Sequence, residues 1–198
     1  DSKCIHGSME CGSIFTLRYM DRLPYVATEL AAGYDAVGTL PVSVVLHDIR
    51  SLYNVGAFFR SADGVGIDRL VLSGITGQPP HKQITKTALG AEQQVSWERC
   101  GDIAAYVQQR QELGYEIAAI ETSQHAVDLF DWQARFPVCL LFGHEVTGLD
   151  QQLLDRCDVH VRLPMRGLKH SLNVATAGGV VLYELLRKYR SAHKLSAR

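Results

Sequence analysis

From residue 42 onward the chain alternates short apolar runs with segments of helical periodicity, and this alternation limits the folds open to it more than any other feature. Strand signals fall at 42–46, 69–72, 116–121, 138–142 and 159–163, with a short further piece near 95–97. Helical patterns lie between them at 55–64, 82–89, 102–113 and 150–155, and a last helix is expected over 173–189. Asp102 at the start and Gly114 just past the end bracket the third of these as an N-cap and a terminating glycine. Strands and helices in alternation predict an α/β fold: a mostly parallel sheet with helices on both faces. In such sheets ligands bind beyond the carboxyl ends of the strands, so function is sought in the loops that follow strands. The chain then divides into an arm at 1–38, partly disordered or with a short helix over 23–32, a domain at 39–190 and a basic tail at 191–198.

Three such loops concentrate Gly, Asn, Ser, Glu and Arg. The first, over 48–60, holds Asn54, Gly56 and Arg60. Asn54 is of a helix-capping type, and free amides at a helix start favour a phosphate. Arg60 lies six positions on, well apart in angle if both are helical, so a site shared by the two requires Asn54 at the cap. A capped helix with a solvated arginine is an equal reading of this loop alone. The second loop reads Phe142-Gly143-His144-Glu145-Val146-Thr147-Gly148-Leu149. Its glycines permit close approach of backbone to a ligand, and Glu145 follows two residues after the strand ends. The bland alternative is an ordinary turn with Glu145 exposed, and His144 alone is weak ground for a general base. The third loop runs over 163–173, polar and basic, with Ser171 or Asn173 able to cap the last helix. Gly178 and Gly179 sit inside that helix at a cost of about 1 kcal/mol each relative to Ala, which points to close packing against another helix or a threaded loop.

Composition narrows the class. With 46% hydrophobic and 21% charged residues the chain can bury a sizeable core. A net charge of −1 lacks the overall basic excess of many nucleic-acid binders, so such a role rests on local charge. No apolar stretch approaches a membrane span, and none reads as a signal peptide. Cys4, Cys11, Cys100, Cys139 and Cys157 are odd in number and form no CxxC pair. That pattern predicts reduced thiols in a cytoplasmic protein, with neither a zinc site nor a disulfide framework. Cys139, inside an apolar run, is expected in the core.

With these loops in view, residues 41–187 resemble the SpoU/TrmH family of the SPOUT superfamily, which are RNA ribose 2′-O-methyltransferases. Asn54-Val55-Gly56 with Arg60 is similar to the first family motif, and the loop from Phe142 to Leu149 to the second. Leu163-Pro164-Met165 followed by Ser171-Leu172-Asn173-Val174-Ala175 is similar to the third. The resemblance implies a C-terminal trefoil knot, an exception to the rule that chains do not knot, whose loops hold S-adenosylmethionine in a bent shape. It sets the cofactor against Gly143, Leu163 and Leu172, largely through main-chain groups, with Thr122, Met165 and Ser171 beside them. Gly143, Gly178 and Gly179 would let backbone pass backbone. No GxGxxG follows the first strand, so this is not a Rossmann methyltransferase.

The resemblance further implies methylation of a ribose 2′-hydroxyl in tRNA or rRNA by Arg60, Asn54, Glu145, Ser171 and Asn173, without a metal. Arginine is a poor base, with a pKa above about 12. Arg60 is therefore expected to bind the neighbouring phosphate and stabilise the developing oxyanion. Asn54, Ser171 and Asn173 would orient the ribose or the third loop, and Glu145 would fix the loops or Asn54 by hydrogen bonds. Arg166, Lys169 and His170, the group His81, Lys82 and Lys86, and the basic residues beyond Glu184 are expected to face RNA, although a charged tail is often only solvated. Family pattern also implies a homodimer through the knot region and no membrane partner. A SPOUT base methyltransferase lacks the pairing of Asn54…Arg60 with Ser171-Leu172-Asn173; a catalytically silent RNA-binding module is the other alternative.

Overall fold

The apolar runs form seven strands: β1 (Leu40–His47), β2 (Ile67–Ser73), β3 (Trp97–Cys100), β4 (Glu116–Ile120), β5 (Val127–Asp128), β6 (Val138–Phe142) and β7 (Val159–Arg162). The computed structural model describes residues 38–193; the expected helix over 23–32, Cys4, Cys11, Lys194 and Arg198 lie outside the described residues. The sheet order is β3-β2-β1-β6-β4-β7-β5, and every pairing in it is parallel. Parallel pairing puts all carboxyl ends on one edge. Because β1, β6, β4 and β7 are neighbours in the sheet, the loops that follow them, including all three singled out above, emerge side by side.

Among the described residues five α-helices accompany the strands, the last of them after β7: α1 (Leu52–Val65), α2 (Lys82–Ala88), α3 (Ile103–Glu112), α4 (Gln151–Leu154) and α5 (Val174–Ala192). Side chains alternate across a strand, so the buried runs supply both faces of the sheet. On one face Val45, Val71, Ala119 and Leu141 pack with Tyr106 and Val107 of α3 and Leu153 and Leu154 of α4. The other face receives α1, whose Phe58 ring meets Phe142 edge to face with centroids 5.0 Å apart. Each such fully buried large side chain contributes about 1.5–3 kcal/mol of transfer free energy. Cys139 is fully buried, as expected of it.

Three differences from the sequence reading have local causes. Helix α1 begins at Leu52, because Ser51 rather than Asn54 is its cap: the Ser51 hydroxyl accepts from the Asn54 amide at 3.3 Å. β3 lies two residues later than the 95–97 piece. β5 is a two-residue edge strand, too short to show any period.

The glycines also sort differently. A Cβ on Gly143 would lie 2.5 Å from the Leu149 nitrogen, so this glycine lets the 143–149 turn close tightly on itself. At Gly178 the obstacle is a side chain: a Cβ would overlap the Phe58 ring, and the glycine lets α5 settle on α1. Gly179 has no such constraint, since its Cβ would stand 3.5 Å from the Ser61 hydroxyl in ordinary contact. No described helix is long and apolar enough to cross a membrane.

These contacts predict opposite outcomes for two adjacent substitutions. Gly178→Ala should destabilise the fold by about 1–3 kcal/mol through overpacking. Gly179→Ala should be neutral or gain up to about 1 kcal/mol from helix propensity. Urea denaturation of the two variants checks both.

Candidate active site

The loop after β6 carries Glu145 to the start of α1. There its carboxylate accepts from the main-chain amides of Arg50 and Ser51, both at 3.0 Å, and from Asn54 Nδ2 at 3.1 Å. The first amides of a helix have no partner within it, and the helix dipole favours negative charge at this end, so a carboxylate here satisfies both. Asn54 Oδ1 in turn accepts from Asn173 Nδ2 at 3.1 Å. Asn173 is the N-cap of α5, its Oδ1 accepting from the amides of Ala175 and Thr176. One chain of hydrogen bonds therefore runs from the α1 start through Glu145, Asn54 and Asn173 to the α5 start, joining all three loops. Burial alone would raise the Glu145 carboxyl pKa, but the amide donors, led by Arg50 and Ser51, outweigh it and hold that pKa below the ordinary value.

Beside this chain lies a cleft of about 430 Å³ at the carboxyl ends of β4, β6 and β7. Thr122, Gly143, Leu163, Met165, Ser171 and Leu172 all line it. Its walls combine main chain, apolar side chains and a few polar groups, the makeup of a small-molecule pocket. Glu121, which the sequence reading passed over, stands on the wall and accepts from the amides of Thr122 and Leu149 at 3.0 and 3.3 Å. A second, more open hollow adjoins it, lined by Arg50, Ser51, Asn54, Glu145, Val146 and Asn173. Arg50 was also passed over. Its neighbour in sequence, Ser51, signals a cap, but nothing in the pattern says that an arginine beside it borders a site.

Arg60 is exposed and lines neither hollow. With Asn54 inside α1 rather than at its cap, six residues of helix leave Arg60 ~120° from it around the helix axis and more than a turn further along. The condition for a site shared by both within one chain is not met. Arg166, Lys169 and Lys82 are likewise exposed and outside the cleft. Lys86 sits 5.9 Å over the exposed Tyr53 ring.

A profile of the SpoU rRNA Methylase family matches residues 41–183. A protein of Staphylococcus haemolyticus named as a TrmH family tRNA/rRNA methyltransferase is 30% identical over 149 residues, 75% of this chain and 59% of its own. The crystal structure of an AdoMet-bound rRNA methyltransferase from Sinorhizobium meliloti is similar with a TM-score of 0.70 at 27% identity, covering 76% of this chain and 56% of that one. A structure concerned with 2-OH methylation of C/U34 on tRNA is similar with a TM-score of 0.68 at 26% identity, covering 76% and 97%. The chain spans about three fifths of the length of the curated relatives it matches.

The clamp predicts a definite pH response. A carboxyl whose folded pKa is depressed stabilises the fold above its unfolded value of about 4.3, and that stability is lost as pH falls through the folded value. Glu145→Gln should lower stability at neutral pH and flatten its loss between about pH 5 and pH 3. Asn173→Ala should cost about 1 kcal/mol through the lost cap of α5. Denaturant titrations across this pH range check both.

Proposed function

Because the chain belongs to the SpoU rRNA methylase family, we propose that it is an S-adenosylmethionine-dependent methyltransferase that modifies a ribose 2′-hydroxyl in tRNA or rRNA. The observation that carries this reading is the convergence of all six expected donor-binding residues on one cleft, clamped beside a polar hollow by Glu145, Asn54 and Asn173. The cleft suits the donor. Its volume is that of a small-molecule site, its apolar walls from Leu163, Met165 and Leu172 suit an adenine ring, and Glu121 brings a carboxylate toward a cationic ligand. When bound, S-adenosylmethionine supplies an electrophilic sulfonium methyl, which requires no metal. The structure of a relative with AdoMet bound supports the assignment, and the one concerned with 2-OH methylation supports ribose as the acceptor.

The protein's own groups then divide the work. Asn54 and Asn173 use their amide groups on each other, on Glu145 and on the α5 start, so they hold the loops and leave few donors for a ligand. Ser171 borders the cleft with its hydroxyl unengaged among the described residues, and it orients the ribose. Glu145 is no general base: three donors already occupy its carboxylate. Deprotonation of the ribose is therefore served by positioning and charge rather than by a carboxylate acceptor. Arg50 borders the polar hollow, and Arg60 stands on the exposed face of α1. Both anchor phosphates of an RNA laid across that face, with Lys82, Arg166 and Lys169 extending the basic surface.

Two further elements belong to the same reading. The 163–173 loop and α5 form the trefoil knot of the family. The exposed Val180 and Tyr183 of α5 and Tyr53 of α1 receive a second copy of the chain.

A labelled methyl donor with bulk tRNA and rRNA, followed by nucleoside analysis, tests the proposal. Label should appear on 2′-O-methyl nucleosides. Label on a base would make the chain a base methyltransferase, and no transfer to any RNA would leave a binding module. Arg60→Ala should lower transfer on the order of 10²–10³-fold while donor binding measured by calorimetry is kept.

A further inference from the structure

His144 lies between Gly143 and Glu145 on the turn that lines the cleft. The main-chain amides of Val146 and Thr147 converge on its Nδ1, at 3.1 and 3.2 Å. An amide N–H can only donate, so Nδ1 keeps its lone pair for both, and the ring is neutral with its proton on Nε2. The carbonyl of the same residue accepts from the Gly148 amide at 2.9 Å, which closes the turn. The imidazole thus works as an internal cap for the segment that presents Glu145 to α1 and forms one wall of the cleft. This arrangement also excludes His144 as the acceptor of the ribose proton, because its lone pair is already taken.

We propose that His144 is a positioning residue that holds the donor-binding turn only as the neutral Nε2–H imidazole, so that donor affinity falls when the ring gains a proton. The proposal rests on the methyl-donor reading of the cleft. A proton on Nδ1 would face two N–H donors at hydrogen-bond distance, and both amides would lose their acceptor. The turn would have to open, taking Glu145 away from the amides of Arg50 and Ser51. The charged and titratable groups around the cleft are Glu145 on the same turn, Glu121 after β4, Arg162 on β7, His170 in the 163–173 loop, and Arg50 after β1. The Glu145 carboxyl is held below its ordinary value by its amide donors, and the arginines stay charged. His170 is the other imidazole on the wall, but it makes no bond to the turn.

Calorimetric binding of S-adenosylhomocysteine between pH 5.5 and 7.5, with ¹⁵N NMR of the histidine rings in the ligand-free protein, tests this. Affinity of the wild type should fall from pH 7.5 to 5.5, by no more than the roughly hundredfold change that one linked proton allows over two pH units. In His144→Asn the amide Oδ1 takes the place of Nδ1 and accepts the same two bonds without titrating. That variant should match wild-type affinity at pH 7.5 and lose the drop. His144→Leu should bind at least about tenfold more weakly than the wild type at pH 7.5 and show no further drop toward pH 5.5, and His170→Asn should keep the wild-type drop. The NMR spectrum should show the His144 proton on Nε2. An acid drop that persists in His144→Asn, a flat wild-type profile, or a proton on Nδ1 would overturn the proposal. Absence of binding at every pH would instead overturn the donor assignment, and the ring tautomer alone would then decide the role of His144 in the turn.

Discussion

A single carboxylate, that of Glu145, holds together segments that lie far apart in the sequence. A parallel sheet brings the loops after β1, β6, β4 and β7 to one edge, but it does not fix their conformations. The loops are polar, and the start of α1 presents amides with no partner inside the helix. Glu145 satisfies the amide of the cap, Ser51, and that of Arg50 before it, and turns Asn54 toward Asn173, which caps α5. The positions of two helices and three loops thus follow from one ionised group at a helix N-terminus. Its lowered pKa keeps the carboxylate itself ionised well below neutral pH.

The clamp separates two compartments. On one side lies the cleft at the ends of β4, β6 and β7, with apolar walls and main-chain groups suited to a nucleoside-sized cofactor. On the other is an open hollow bordered by Arg50, suited to a polyanion that stays largely in solvent. The groups between them are engaged: Glu145 by three donors, His144 by two amides, the asparagines by each other. With Glu145 and His144 occupied in this way, the site favours chemistry driven by placement of the reactants and by cationic stabilisation of charge.

Much of this was legible in the sequence, for physical reasons. The Val-, Ile- and Leu-rich runs located six of the seven strands, and Asp102 and Asn173, both candidate caps by type and position, act as caps. β5 has two residues and rests on its pairing with β7 rather than on any pattern of its own. Ser51 and Asn54 are both capping types three residues apart, and composition alone does not choose between them. That choice decides where Arg60 points, so the expected shared site of Asn54 and Arg60 was misjudged at its most sensitive step. The cost of Gly178 was visible, but its cause, the Phe58 ring, arises from a contact spanning more than a hundred residues. His144 offered only weak ground for a role, because a bond from a ring nitrogen to main-chain amides leaves no trace in periodicity.

The central claim is that three loops, clamped by Glu145, build one methyl-donor cleft. A crystal structure of the protein grown with S-adenosylhomocysteine tests it most directly. The ligand should lie between Thr122, Gly143 and the segment from Leu163 to Leu172, with the bonds from Glu145 to Arg50, Ser51 and Asn54 intact. Density for the ligand at another place on the sheet, or a bound state in which Glu145 has left the α1 start, would contradict the account.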